Sequence, residues 1–154
     1  MEYPENATAE VAARVRLAAA NQLLSRALPV LRQPMAADDA RSAAAFQGAV
    51  LALRQAHWIY ELIFSGGDEL PPEIDSDAGL GLGMSELYLG WMDAAQASLA
   101  AVVEEFPDTP NARRARGLLT VIEATESAVL AGAPRDLVTV AGWATEALAK
   151  AAVP

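Results

Sequence analysis

The chain contains no cysteine, one histidine and, among its eleven basic residues, a single lysine. Without cysteine there are no disulfides, no thiolate metal sites and no cysteine nucleophile, and the redox compartment is left undetermined. One histidine cannot supply the Glu-x-x-His motif on two helices that a dinuclear iron bundle needs. Runs of Val, Ile, Thr and Tyr that would build strands are missing. No apolar run reaches about 18 residues without a charge, so no membrane span is expected. The first ten residues, MEYPENATAE, lack a basic segment followed by an apolar one, which argues against a signal peptide and makes the cytoplasm the expected location.

Positive charge is also scarce. The net charge is −9 and the pI about 4.5, and the one basic cluster, Arg113, Arg114 and Arg116, is thin. A nucleic-acid binder needs a basic face to displace phosphate counterions. DNA, RNA and anionic membranes are therefore not expected partners, whereas a basic protein or a metal ion fits the balance.

Alanine is abundant, 35 of 154 residues. It is the best helix former and poor in strands, which points to an all-α fold. The length suits one domain with a real core. We expect a single helical domain, 1–154, of about five helices near 8–31, 39–64, 78–106, 110–131 and 134–150. Short connections imply a mostly antiparallel, up-and-down bundle. An acidic Pro/Gly loop, GGDELPPEIDS, is expected at 66–76.

The apolar spacing carries these assignments. In the first helix Leu17, Ala20, Leu24, Ala27 and Leu31 make one stripe. Pro29 falls inside it and should end the helix near Ala27 or kink it. The second helix has the cleanest stripe: Phe46, Val50, Leu53, His57, Tyr60 and Phe64. Leu51, Trp58 and Leu62 mark a second apolar face on it. A helix with two apolar faces is central in a bundle or covered by another subunit, so a homodimer is expected. In Phe106-Pro107-Asp108-Thr109-Pro110, Thr109 reads as an N-cap and Pro110 as the first helical residue.

The stretch GLGLGM raises the question of a phosphate loop. A dinucleotide loop needs a preceding strand, and the carboxylates of PPEIDSD would repel phosphate. Gly79, Gly83, Gly90, Ala94, Ala97 and Ala101 instead form a stripe of small residues down one side of the third helix. That leaves a groove for a neighbouring helix, as we expect, or for a small molecule.

Candidate chemistry centres on His57. Glu61 lies four residues on and within reach, so the two could form a tuned acid/base pair in a pocket with Asp93. The competing reading is a histidine buried and satisfied by Glu61 or a backbone carbonyl. Trp58, Tyr60, Tyr88 and Trp91 could line a pocket for an apolar or aromatic ligand, or serve as core and subunit interface. No G-x-S-x-G elbow is present for serine catalysis, and no cofactor is implied.

Three family likenesses bear on function. Ala56-His57 resembles the start of the histidine phosphotransfer motif, but Trp58, Ile59, Tyr60 and Glu61 follow where that family has a Lys and a Gly. Glu104, Glu105 and Asp108, followed by Glu123 and Glu126, are similar to the EExxE…ExxD signature of all-α nucleoside triphosphate pyrophosphohydrolases, which hold Mg²⁺ with carboxylates on two helices. Here Asp108 and Glu126 have the two acids interchanged, and Pro107 and Pro110 interrupt the first cluster. The competing reading is solvated surface acids. Residues 86–130 resemble one helical pair of a tetratricopeptide-type repeat in Tyr88, Ala94, Ala95, Leu99, Phe106-Pro107-Asp108-Thr109-Pro110, Ala112 and Ala115. Such repeats bind peptides on a concave face. With no second copy at about 34-residue spacing, the likeness reads as a shared way of making an αα-hairpin.

The leading functional expectation is a non-enzymatic interaction or scaffold protein acting through an apolar, acid-rimmed helix face. The alternatives are a small-molecule-binding protein or enzyme with a pocket near His57, Glu61 and Trp91, and a carboxylate–Mg²⁺ phosphohydrolase.

Overall fold

The computed structural model describes residues 5–32 and 40–130. They form five helices: α1 Glu5–Leu31, α2 Ala40–Phe64, α3 Pro72–Leu89, α4 Met92–Glu105 and α5 Pro110–Leu130. Each helix packs on the next, and α3 also touches α1 and α5. The protein is an all-α helical bundle with α3 at its centre. The expected helix over 134–150, with Trp143, lies outside the described residues, as do the connection at 33–35 and the acidic start at 38–39.

α1 buries Ala13, Ala20, Leu24, Ala27 and Leu31, with Leu17 packed against that core. The helix does not end at Ala27. Pro29 lies inside its last turn, and the Arg32 amide still donates to the Leu28 carbonyl at 3.2 Å. Pro29 lacks the N–H that would reach the Ser25 carbonyl and its ring crowds that carbonyl, yet the helix runs on to the buried Leu31.

On α2 the buried residues are Ala49, Leu53, Ala56, Tyr60 and Ile63. The core face is therefore rotated from the expected stripe, whose Phe46, Val50, His57 and Phe64 are only partly buried. Leu53 and Tyr60 of that stripe stand at the centre of the buried face, joined there by Ala49, Ala56 and Ile63. Opposite this face, Leu51, Trp58 and Leu62 are exposed. The helix ends at Phe64, and Gly67, three residues on, takes φ 73°, a conformation glycine adopts without strain.

Two boundaries differ from expectation. The loop after α2 is shorter than 66–76, because α3 starts at Pro72. Pro72 occupies the first helical position, where its missing N–H costs nothing, and Glu73 and Asp75 complement the positive helix end. The expected single helix 78–106 is two helices. Gly90 sits in the left-handed region at φ 80°. Its amide donates to the Leu87 carbonyl at 3.0 Å, and that of Trp91 to Glu86 at 2.9 Å. Those paired bonds close a helix C-terminus, so Gly90 is a stop and not a member of a continuous small stripe. The α4–α5 turn is as expected. Thr109 Oγ1 accepts the Ala112 amide at 3.1 Å, and Pro110 opens α5.

α3 is the most enclosed element, with twelve of its eighteen residues buried. Its glycines explain how neighbours come so close. A Cβ on Gly79 would lie 2.5 Å from Val102 Cγ2 and 2.7 Å from Phe64 Cε2, and one on Gly83 would lie 2.6 Å from Leu99. A Cβ on Gly81 would overlap the Tyr60 ring. The groove along α3 is filled by side chains of α2 and α4, that is, by neighbouring helices.

Candidate functional site

The residues singled out in the sequence distribute over three places. At the first, α2 meets the end of α3. His57 Nε2 stands 3.4 Å from Glu86 Oε1, and their side chains are 17% and 8% exposed. The indole of Trp91 meets the imidazole edge-on, with ring centroids 5.2 Å apart and planes at 87°. Trp91 is placed there by the Gly90 corner, which turns the chain from α3 into α4. Glu61 does not take part; it is exposed on the outer side of α2. Asp93 is exposed too and borders a shallow hollow with Gly90, Trp91, Met92 and Ala94.

Glu86 is the residue that local spacing missed. Its Oε2 is buried and has no hydrogen-bond partner among the described residues. A carboxylate removed from water is costly unless paired, so His57 matters to it more than an exposed ion pair would. The signal in the sequence was a lone charge inside the apolar run GLGLGMSELYLGW.

The second place is a polar tie across three helices. The Tyr60 hydroxyl donates to Asn21 Oδ1 at 2.6 Å, and Asn21 Nδ2 donates to Asp77 Oδ2 at 3.4 Å. Tyr60 is fully buried. Burial, with a smaller contribution from the Asp77 charge, pushes its hydroxyl well above the ordinary tyrosine value. Tyr88 is buried as well, and its hydroxyl has no partner among the described residues. The four aromatics therefore do not line one pocket. Tyr60 and Tyr88 are core, Trp91 packs on His57, and Trp58 faces outward with 61% of its surface exposed.

At the third place, the carboxylates of Glu104, Glu105, Asp108 and Glu123 are exposed and Glu126 is half-buried. Among the described residues no three His, Cys, Asp or Glu side chains gather closely enough to hold a metal ion. Asp75, at the start of α3, is raised from the ordinary carboxylate value by burial and then by the charge of Glu105. No described helix is long and apolar enough to cross a membrane.

The chain matches no family model, no curated protein and no solved structure.

Proposed function

We propose that this is a helical interaction protein that works by association through the outer face of α2, and that two copies of the chain pair. One observation carries this reading. Leu51, Trp58 and Leu62, 59%, 61% and 43% exposed, lie on the side of α2 opposite its buried face. Large apolar side chains grouped on one exposed face favour a partner, since burial of apolar surface drives association. Tryptophan is also among the residues that dominate binding energy at interfaces. Arg54 and Glu61 flank the stripe, and neither has a charged partner among the described residues.

A second reading draws on the Glu86 oxygen that has no partner among the described residues, beside His57 and Trp91. It makes that corner a small-molecule site. The Mg²⁺ reading has no comparable support, because the acids it needs do not converge.

The test for the first reading is light scattering coupled to size-exclusion chromatography on wild type and Trp58→Ser/Leu62→Ser. The variant should keep the wild-type circular dichroism and lose association. Equal association in both proteins would refute the reading. The ligand reading is tested by titrating the wild type with a metabolite library; its signature is saturable quenching of tryptophan fluorescence that Trp91→Phe abolishes, and a flat response throughout removes it.

A further inference from the structure

The outer face of α2 has an internal order that bears on which partner it takes. Leu51 and Trp58 are seven residues apart, as are Gln55 and Leu62, and as are Arg54 and Glu61. All six are exposed. Seven residues is two helical turns, so each pair repeats at nearly one angular position. The first two pairs interleave into one stripe, apolar except for Gln55. The third runs along one flank, with a cation at one end and an anion at the other.

We infer that the partner is a second copy of this chain, docked antiparallel, α2 against α2, about a two-fold axis between Gln55 and Trp58. The inference rests on the association reading above and adds its occupant and register. In an antiparallel helix pair, like flanks meet. A flank that carries Arg54 and then Glu61 is therefore complementary to its own reverse. Arg54 meets Glu61 of the partner subunit, and Glu61 meets Arg54 of the partner subunit. The register that forms these two pairs also sets Leu51 against Leu62 of the partner subunit, and Leu62 against Leu51 of the partner subunit. It places Trp58 beside Gln55 of the partner subunit, whose amide oxygen can accept the indole N–H. One register thus satisfies the apolar, charged and polar groups of the face together, as an isologous contact requires. A parallel pairing brings unlike flanks together, so Arg54 and Glu61 would not meet each other across it and neither charge pair would form.

The charge order supplies the test. Sedimentation equilibrium is run on the full-length wild type, Arg54→Glu, Glu61→Arg and the double swap, at matched concentrations, with thermal melts as folding controls. Both substituted positions are exposed, so melts taken below the dimer Kd should coincide. Either single reversal places like charges opposite each other and should raise the dimer Kd by about tenfold or more. The double swap recreates both pairs in the opposite sense and should return to within about threefold of wild type. Two results overturn the proposal. A wild type that remains monomeric at every concentration shows that another protein or another segment of this chain covers the face. A double swap as weak as the singles shows a different register. That second result leaves the association reading standing, whereas loss of association failing to follow Trp58→Ser/Leu62→Ser removes it.

Discussion

His57 on α2 and Glu86 on α3 stand 3.4 Å apart, and the other oxygen of the Glu86 carboxylate is buried with no partner among the described residues. The two residues are 29 positions apart in the chain, and the contact helps fix how α2 lies on the central helix. Truncating His57 should therefore cost more than neutralising Glu86. His57→Ala leaves a buried carboxylate with no partner and should lower stability by about 1–3 kcal/mol. Glu86→Gln keeps an acceptor for the imidazole and removes the charge, so its cost should be smaller. Urea unfolding of both variants decides, and the opposite order would show that His57 does not serve Glu86.

The glycines of α3 and α2 should respond to alanine in opposite ways. Gly81→Ala and Gly83→Ala force a methyl into the Tyr60 ring and the Leu99 side chain. Each should cost about 1–3 kcal/mol as overpacking. Gly48 lies inside α2 with nothing within 4 Å of an added Cβ. Gly48→Ala should stabilise by about 0.5–1 kcal/mol through helix propensity. Chemical denaturation gives both signs, and a stabilised Gly81→Ala would mean that α2 and α3 are not this close.

The buried Tyr60 hydroxyl predicts alkaline sensitivity. Its folded-state pKa lies above its ordinary value of 10.0. Its contribution is then fully present below that value and is lost as the pH rises beyond it, because the unfolded chain releases the proton first. Stability should fall above pH about 10. Tyr60→Phe should flatten that fall while costing about 1 kcal/mol at neutral pH for the lost bond to Asn21. Melts from pH 7 to 11 test this, and an unchanged alkaline slope in Tyr60→Phe would assign the loss to other groups.

Two chain reversals rest on single residues. Gly90 has φ 80°, so Gly90→Ala should cost about 1–2 kcal/mol. Thr109→Ala removes the acceptor of the Ala112 amide and should cost about 1 kcal/mol. Thermal melts of both variants measure this, and no change in either would mean the caps are not needed to hold the corners.

How far the fold could be read in advance depended on whether a signal was local. The Phe106–Pro110 turn, the α1 stripe and the outer face of α2 are local patterns of spacing or capping, and each is where the sequence places it. Gly90 deceived because it falls in phase with Gly83 and Ala94, so it read as part of a groove. Its left-handed conformation, not its spacing, ends the helix. Pro72 was similarly hidden within a loop-like run, although a proline followed by two acids is itself a helix-start signal. The candidate site was legible only in part. His57 was recognisable, but spacing along one helix offers only Glu61, and Glu86 becomes its neighbour through packing of α2 on α3. The Asn21–Tyr60–Asp77 tie spans three helices and had no counterpart in any periodicity.

Association through the outer face of α2 is tested most directly by cysteine crosslinking, because the native chain has no cysteine to interfere. Gln55→Cys places one thiol on that face, close to the two-fold axis. Gln96→Cys places one on an exposed position of α4. With a short bis-maleimide reagent, the expected result is a covalent dimer from Gln55→Cys, formed much faster than from Gln96→Cys and suppressed by adding Trp58→Ser. Equal rates at the two positions, or no dimer from Gln55→Cys, would contradict the claim that α2 is the face through which the protein associates.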